Sequence, residues 1–377
     1  MNVPEDLSKL IKGIQKDLGG GALITNLSEV VTPFETRLPT GILSMDTALK
    51  GGFPAGSLNQ LFGPDGAGKD YVTNLVIAEV QKKYGDDANI FWMSFGYKPD
   101  KEFMRMAGVQ IARSDEELRA LGIDPDKATD EQRGRSVGNL LLIDVADTKQ
   151  SVEQPAETLL NTVLRLVESN KFQLGIVNEL GSGETRDNVV KTLGKDPKMA
   201  TWASLMTQFC QKFYSAIRMT KDGGVNKTCV ITINPVRANM NMMSAKFNPY
   251  SQGGGYALKH AKAVDIHVKP AGFIRSSSRE KVGKEIAWKI MKGKHGISEG
   301  AEGKYAFYFN RGVDLVTDLA NTAKAYGTVR SRGRYYYILD YEDQIEGGLE
   351  GVVELLKQSP ELVEELKIAT IAAAHEK

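Results

Sequence analysis

A glycine-rich segment that ends in a lysine and an aspartate constrains the fold of this chain more than any other feature. It reads Gly63-Pro64-Asp65-Gly66-Ala67-Gly68-Lys69-Asp70. Glycines at both ends of such a segment let successive backbone N–H groups turn inward around nucleotide phosphates, and the lysine reaches the terminal phosphates. An apolar run leads into the segment, and apolar residues at helical spacing follow it. The pattern therefore predicts a phosphate loop between a strand and a helix.

The last residue of this segment departs from the usual phosphate-loop pattern. A Ser or Thr hydroxyl normally stands there and coordinates Mg²⁺, whereas Asp70 places a carboxylate beside the polyphosphate. Asp70 either coordinates the metal directly, as carboxylates commonly do, or repels phosphate. A glycine-rich turn without a ligand is the remaining interpretation of the segment.

Length and composition predict a sizeable core and a reduced protein. The chain has 377 residues, of which 41% are hydrophobic, which suits a main domain with one or two appendages. Its 48 basic and 47 acidic residues nearly cancel, so a nucleic-acid site must be local. Cys210 and Cys229 lie in apolar surroundings and read as core residues of an intracellular protein. Without a signal peptide or a long apolar run, we expect a cytoplasmic protein with no membrane contact.

Apolar strands alternate with helices through the middle of the chain. The predicted strands span residues 58–62, 90–94, 140–145, 174–178 and 229–234. Helices are predicted over 157–169 and 199–219. Such alternation predicts an α/β fold with a mostly parallel sheet covered on both faces. Three later strands, over 264–268, 286–291 and 305–309, follow one another closely and predict an antiparallel extension.

The chain divides into three predicted parts. They are an N-terminal oligomerisation helix with its linker, a core domain and a small α+β C-terminal domain, over residues 1–36, 37–311 and 312–377. The helix over 5–18 is too short to bury its own apolar stripe, so it must dock on its own core or on a neighbouring subunit. Short helices are expected around 335–339. The polar stretch 113–138 lacks apolar periodicity, which predicts that it is an insertion in the core domain.

Two aperiodic loops, 181–198 and 238–255, follow the ends of predicted strands. Ligands bind at the carboxyl ends of the strands of an open parallel sheet. The second loop combines aromatic, basic and glycine residues, which are the ingredients of a single-strand binding loop. The predicted DNA contacts are Arg186, Lys195, Arg237, Lys246, Phe247, Tyr250, Gly254 and Gly255. An ordinary mobile loop is the alternative interpretation.

Taken in order along the chain, these motifs resemble the RecA family of recombinases, including its phage UvsX-type members. The resemblance rests on segment 40–49 ahead of the phosphate loop, on 231–237 followed by 253–259, and on 289–294. It covers nearly the whole chain. It implies a RecA-like P-loop NTPase core, ATP or ADP as the nucleotide, binding to single-stranded DNA, and head-to-tail assembly into a filament or a ring.

The resemblance also implies roles for individual residues outside the phosphate loop. Asp100 and Phe103 stand where the family holds the adenine, and Phe103 keeps an aromatic face. Lys292 and Lys294 match the two lysines that reach the nucleotide of a neighbouring subunit, and solvated charges at the end of a strand are the alternative interpretation.

Four positions that carry the chemistry of the family are altered together. Asn178 stands in place of the aspartate that positions Mg²⁺, Gly96 lies where the catalytic glutamate is expected, and Pro235 replaces the glutamine that senses the γ-phosphate. With Asp70, these changes remove the metal ligand, the base and the sensor, so useful hydrolysis is not expected and Mg²⁺ is doubtful. Asp144, at the end of another apolar run, is the competing candidate for the metal residue.

The leading hypothesis is a RecA-like single-stranded-DNA-binding protein of recombination and repair whose ATPase site is degenerate. Its partners would be further copies of itself, an active recombinase or replication proteins. The second hypothesis is an active strand-exchange ATPase that uses Asp70 or Asp144. The third is a scaffolding protein that keeps the fold and has lost DNA binding.

Overall fold

The computed structural model describes residues 5–17, 32–144, 155–186, 199–218, 225–238, 250–252 and 254–375. Its helices are α1 (Glu5–Asp17), α2 (Leu43–Ala48), α3 (Lys69–Tyr84), α4 (Lys101–Met106), α5 (Asp115–Ala120), α6 (Asp130–Arg133), α7 (Pro155–Glu168), α8 (Met199–Arg218), α9 (Gly255–Ala261), α10 (Leu315–Tyr326), α11 (Gly348–Gln358) and α12 (Pro360–His375). Its strands are β1 (Arg37–Leu38), β2 (Phe53–Pro54), β3 (Leu58–Gly63), β4 (Asn89–Ser94), β5 (Asn139–Ile143), β6 (Leu174–Asn178), β7 (Cys229–Ala238), β8 (Tyr250–Gln252), β9 (Val264–Arg275), β10 (Lys281–Gly293), β11 (Glu302–Tyr308), β12 (Gly312–Val313), β13 (Val329–Arg332) and β14 (Tyr335–Ile338).

One large sheet organises the described residues. Its strands lie in the order β12-β11-β10-β9-β3-β7-β6-β4-β5, and β8 pairs with β7 off this path. Strands β9, β3, β7, β6, β4 and β5 run parallel to one another, and β10, β11 and β12 extend the sheet in antiparallel fashion. The predicted α/β fold with a mostly parallel sheet and an antiparallel extension is confirmed.

The central strands of the sheet are buried on both faces because their apolar side chains alternate between two cores. On β4, Ile90 and Trp92 join a cluster with residues of α3, whereas Phe91 and Met93 join a second cluster with residues of α7 and α8. Successive side chains of a strand point to opposite faces, so a continuous apolar run is what a sheet covered twice requires.

The C-terminal residues pack around a third apolar cluster, which joins α10, α11, α12 and Leu43 of α2. The expectation of short helices around 335–339 was wrong, because Tyr335–Ile338 forms strand β14 paired with β13. Gly333, at φ 63°, makes the tight connection between the two strands. Three consecutive tyrosines also favour an extended backbone over a helix.

The stretch 113–138 contains short ordered helices despite its lack of periodicity. Helices α5 and α6 each begin with a capping box, formed by Ser114 with Glu117 and by Thr129 with Gln132. In each box the two side chains satisfy the free backbone N–H groups of the first helical turn. Local capping, together with the buried Leu118 of α5, therefore orders this insertion without a long apolar stripe.

Helix α1 forms over Glu5–Asp17, as predicted, and none of its residues is buried. Leu7, Leu10 and Ile14 are 47%, 58% and 38% exposed. Its apolar stripe is thus uncovered by the described part of the chain. Docking of this helix on a neighbouring subunit stays a prediction.

Candidate nucleotide site and nucleic-acid loops

The phosphate loop joins the central strand β3 to helix α3, as the sequence predicts. Gly66 and Gly68 have φ angles of 67° and 79°, a conformation that glycine adopts without steric cost. A side chain at Gly63 would overlap the carbonyl oxygen of Val268 on the adjacent strand β9. The loop therefore keeps its shape only with glycines at these positions, and it ends where the N–H groups of α3 are free to meet an anion.

The Lys69 side chain lies beneath this loop and is only 6% exposed. Its Nζ donates hydrogen bonds of 3.0 Å to the carbonyl oxygens of Gly63 and Pro64. A buried ammonium needs such acceptors, and phosphate oxygens are stronger ones. Lys69 is thus held where a phosphate seated in the loop would meet its charge.

Asp70 and Asn178, the two residues at the positions implied for the metal, are hydrogen-bonded to each other. Asn178 ends strand β6, and its Nδ2 donates to Asp70 Oδ1 over 3.1 Å. Although the Asp70 side chain keeps exposed surface, desolvation by the surrounding protein raises its pKa above the ordinary value. The nearby Glu179 adds to this rise, and the Lys69 charge and the Asn178 hydrogen bond oppose it. The carboxylate is therefore in an environment that disfavours its charge.

These residues do not fit a magnesium site of the kind that the resemblance implies. Mg²⁺ requires oxygen ligands in near-octahedral geometry, whereas Asn178 presents an N–H donor towards Asp70 and occupies one of its oxygens. Glu179 is tied as well, because Ser182 Oγ donates to its Oε2 over 3.0 Å. No group of three or more His, Cys, Asp or Glu among the described residues could hold a metal ion.

Asp144 and Gly96 supply neither a metal ligand nor a base at this loop. Asp144 follows β5, at the far edge of the sheet from β3, and pairs with Lys98 over 3.3 Å. Gly96 donates its N–H to Ser94 Oγ over 3.2 Å. Strand order therefore places Asn178, rather than Asp144, at the phosphate loop.

Pro235 lies on β7 directly beside Gly63 in the parallel pairing of β7 with β3. The position implied for the γ-phosphate sensor is thus adjacent to the phosphate loop. Proline has no side-chain donor or acceptor and no backbone N–H, so it cannot hydrogen-bond a phosphate.

An aromatic cluster lies beside the first turn of α3. The Tyr71 ring packs edge-on against Phe103 and Phe307, each 5.0 Å away between ring centroids, and Phe309 packs against Phe307 at 6.4 Å. Phe309 is 44% exposed and offers a ring face to a planar ligand. Sequence reasoning found Phe103 alone, although the aromatic-rich run of β11 was an available signal. Asp100, the other residue expected at the adenine, caps α4 by accepting from the N–H groups of residues 102 and 103.

Lys292 and Lys294 gather at the C-terminal end of α9. Lys292 Nζ donates to the carbonyl oxygens of Lys259 and His260 over 2.6 and 3.0 Å, and Lys294 Nζ donates to that of His260 over 3.2 Å. Partial burial, with the like charges of Lys294 and Lys262, lowers the pKa of Lys292 to about 8. The two ammonium groups concentrate positive charge here, and a bound anion would neutralise it.

The stem of the second predicted DNA loop is an antiparallel strand pair. Residues 236–238 of β7 pair with 250–252 of β8, so the backbones of Arg237 and Tyr250 lie in this stem. Gly254 and Gly255, at φ 105° and 68°, turn the chain into α9. Lys246 and Phe247 lie outside the described residues.

The other predicted DNA loop is described only at its start. Arg186 is exposed, and its backbone N–H donates to Glu157 Oε1 over 3.2 Å. Lys195 lies outside the described residues.

Comparison with known protein families decides the ancestry of the chain. A family model described as the RecA N-terminal domain matches residues 5–118 and 105–314, most of the sequence. The chain belongs to the RecA family. The resemblance drawn from the order of its motifs is thereby confirmed.

The RecA relatives match the chain over nearly its whole length. Protein RecA of Thermus aquaticus is 27% identical over 375 residues, which cover 99% of this chain and 95% of that protein. Protein RecA of Thermus thermophilus is 27% identical over 363 residues, covering 96% and 92%. Protein RecA of Lactobacillus johnsonii is 26% identical over 358 residues, covering 95% and 85%. In the part of this chain that the structure describes, no helix is long and apolar enough to span a membrane.

Proposed function

We propose that this RecA-family protein binds single-stranded DNA in recombination and repair and holds a nucleotide without hydrolysing it. The observation that carries the proposal is the hydrogen bond between Asp70 and Asn178, beside a phosphate loop that keeps its lysine. Phosphoryl transfer requires neutralisation of charge by a metal and an oriented water. At this loop Asp70 and Asn178, the residues at the metal positions, are hydrogen-bonded to each other. Gly96 supplies no base, and Pro235 supplies no sensor of the γ-phosphate.

DNA binding is assigned to loop 238–255. The β7–β8 stem supports this assignment, because it holds the two flanks of the loop together at the carboxyl edge of the central strands. Aromatic residues of such a loop stack on bases, and basic residues such as Arg237 contact phosphates.

Self-assembly is assigned to helix α1 and to the Lys292–Lys294 cluster. The uncovered stripe of α1 supports head-to-tail association, since an isolated short helix gains stability only by packing its apolar face. In the filament or ring, Lys292 and Lys294 would meet the nucleotide phosphates of the neighbouring subunit.

Two measurements on the full chain test this function. Phosphate release from ATP, with and without single-stranded DNA, should be no faster than in Lys69→Ala. Fluorescence anisotropy at low salt, without nucleotide, should show binding of a labelled single strand. A DNA-stimulated rate that Lys69→Ala abolishes would establish the active recombinase instead, and no DNA binding would leave the scaffolding function.

A further inference from the structure

A second lysine reaches the phosphate loop from the antiparallel part of the sheet. Lys284 lies on β10, and its Nζ donates to the carbonyl oxygen of Gly66 over 3.3 Å. A β-carbon built on Gly66 would lie 3.2 Å from the same Nζ. The ammonium of Lys284 is therefore in contact with the turn of the loop.

Lys284 differs from two other lysines of this part of the sheet. Lys289 on the same strand pairs with Glu302 over 2.8 Å, and Lys304 on β11 pairs with Glu285 over 2.9 Å. Lys284, by contrast, forms no ion pair with any described residue, and its hydrogen bond goes to a backbone carbonyl of the loop. Its charge is thus free to meet an anion.

Lys69 and Lys284 place two ammonium groups against the same short loop. Lys69 donates to the carbonyls at the start of the loop and Lys284 to the carbonyl at its turn. A nucleotide carries several negative charges that a bound Mg²⁺ would otherwise offset. Because the Asp70–Asn178 hydrogen bond occupies the metal positions, Lys284 supplies a second positive charge at the loop from within the same chain.

We propose that Lys284 is a phosphate ligand and that this site takes a nucleoside polyphosphate without a metal ion. This inference rests on the proposed nucleotide binding and deepens it. Lys69 and Lys284 contact the phosphates as point charges, and the N–H groups of the loop and of the first turn of α3 complete the anion site. We expect the base to pack against the aromatic cluster of Tyr71, which lies beside the first turn of α3.

The test is isothermal titration calorimetry of the full-length protein with ATP, in Mg²⁺ and in excess EDTA. The wild-type protein should bind equally well in both. Lys284→Ala should weaken binding by at least about tenfold, the effect of losing one hydrogen bond to a charged group. Lys284→Arg should retain most of the affinity. Lys289→Ala, a matched control on the same strand, should bind like the wild type.

Inorganic tripolyphosphate distinguishes phosphate recognition from general effects of the substitution. Tripolyphosphate should compete with ATP for the wild-type protein. Lys284→Ala should lower the affinity for tripolyphosphate as much as it lowers the affinity for ATP. Tighter binding of ATP than of tripolyphosphate would identify a nucleotide as the ligand, and equal binding would identify inorganic polyphosphate, with Lys284 a phosphate ligand in both cases.

Three results would overturn the inference: loss of ATP binding in EDTA, unchanged affinity in Lys284→Ala, or no ATP binding under any condition. The single-strand binding described above is measured without nucleotide. It therefore reports on the proposed DNA-binding function even when the inference about Lys284 fails.

Discussion

The buried ion pair between Lys262 and Asp265 provides the sharpest stability prediction. Lys262 Nζ lies 2.6 Å from Asp265 Oδ2, and the two side chains are 1% and 8% exposed. Gln60 Nε2 donates to the other carboxylate oxygen over 3.1 Å. Asp265→Asn keeps the shape of this site and removes its negative charge. The Lys262 ammonium would then be buried beside Lys292 without the negative charge of Asp265.

The expected loss of unfolding free energy is about 3–5 kcal/mol, the range for removing one partner of a buried pair. Lys262 can also lose its proton, which removes the buried charge. Deprotonating a lysine of ordinary pKa at pH 7 costs about 4.6 kcal/mol. This value is an upper limit on the loss of unfolding free energy, and it lies within the same range. The double variant Lys262→Met/Asp265→Asn should recover at least about 2 kcal/mol, because no charge remains buried.

Urea unfolding followed by tryptophan fluorescence measures these differences. Burial already lowers the pKa of Lys262, and Asp265 opposes that shift. In Asp265→Asn the folded state therefore binds fewer protons than the unfolded state below the ordinary lysine pKa, so the variant should regain stability as the pH rises towards that value. Lys289→Met, which breaks an exposed pair, should cost less than about 1 kcal/mol. The reasoning fails if Asp265→Asn costs no more than this control, or if the double variant is no more stable than the single one.

Four further predictions concern assembly, DNA and nucleotide. Deletion of residues 1–20 should reduce the protein to smaller species in light scattering, and its circular dichroism should lose only the contribution of helix α1; an unchanged polymer would place the interface elsewhere. Phe247→Ala with Tyr250→Ala should weaken single-strand binding at least about tenfold with little change in salt slope, since stacking is worth about 1–3 kcal/mol per base. Lys246→Ala should weaken it less and flatten that slope by about one unit or less, as read from anisotropy titrations at several salt concentrations. Because desolvation raises the pKa of Asp70, protonation on lowering the pH should remove its repulsion of phosphate. ATP affinity measured by calorimetry should therefore rise as the pH falls, and a slope of equal size in Asp70→Asn would contradict this account.

Local patterns were sufficient to predict most elements of the core. The apolar runs that became β3, β4, β6 and β7 alternate with helices, and burial on both faces requires such runs. The same reasoning failed at Tyr335–Ile338, where a hairpin turn and the partner strand β13 determine the backbone conformation. The capping boxes of α5 and α6 are a local signal that apolar periodicity does not reveal.

The sequence by itself determined the phosphate loop, the alternation of strands and helices, and the RecA family, because each follows from short segments and from their order along the chain. Tertiary structure alone decided which side chains surround the loop. Asn178 rather than Asp144 reaches Asp70 because β6, and not the edge strand β5, lies beside β7. Lys284 meets Gly66 across 218 positions of sequence because β9 places β10 near β3. Strand order and side-chain reach are products of packing between distant segments, and no local pattern encodes them.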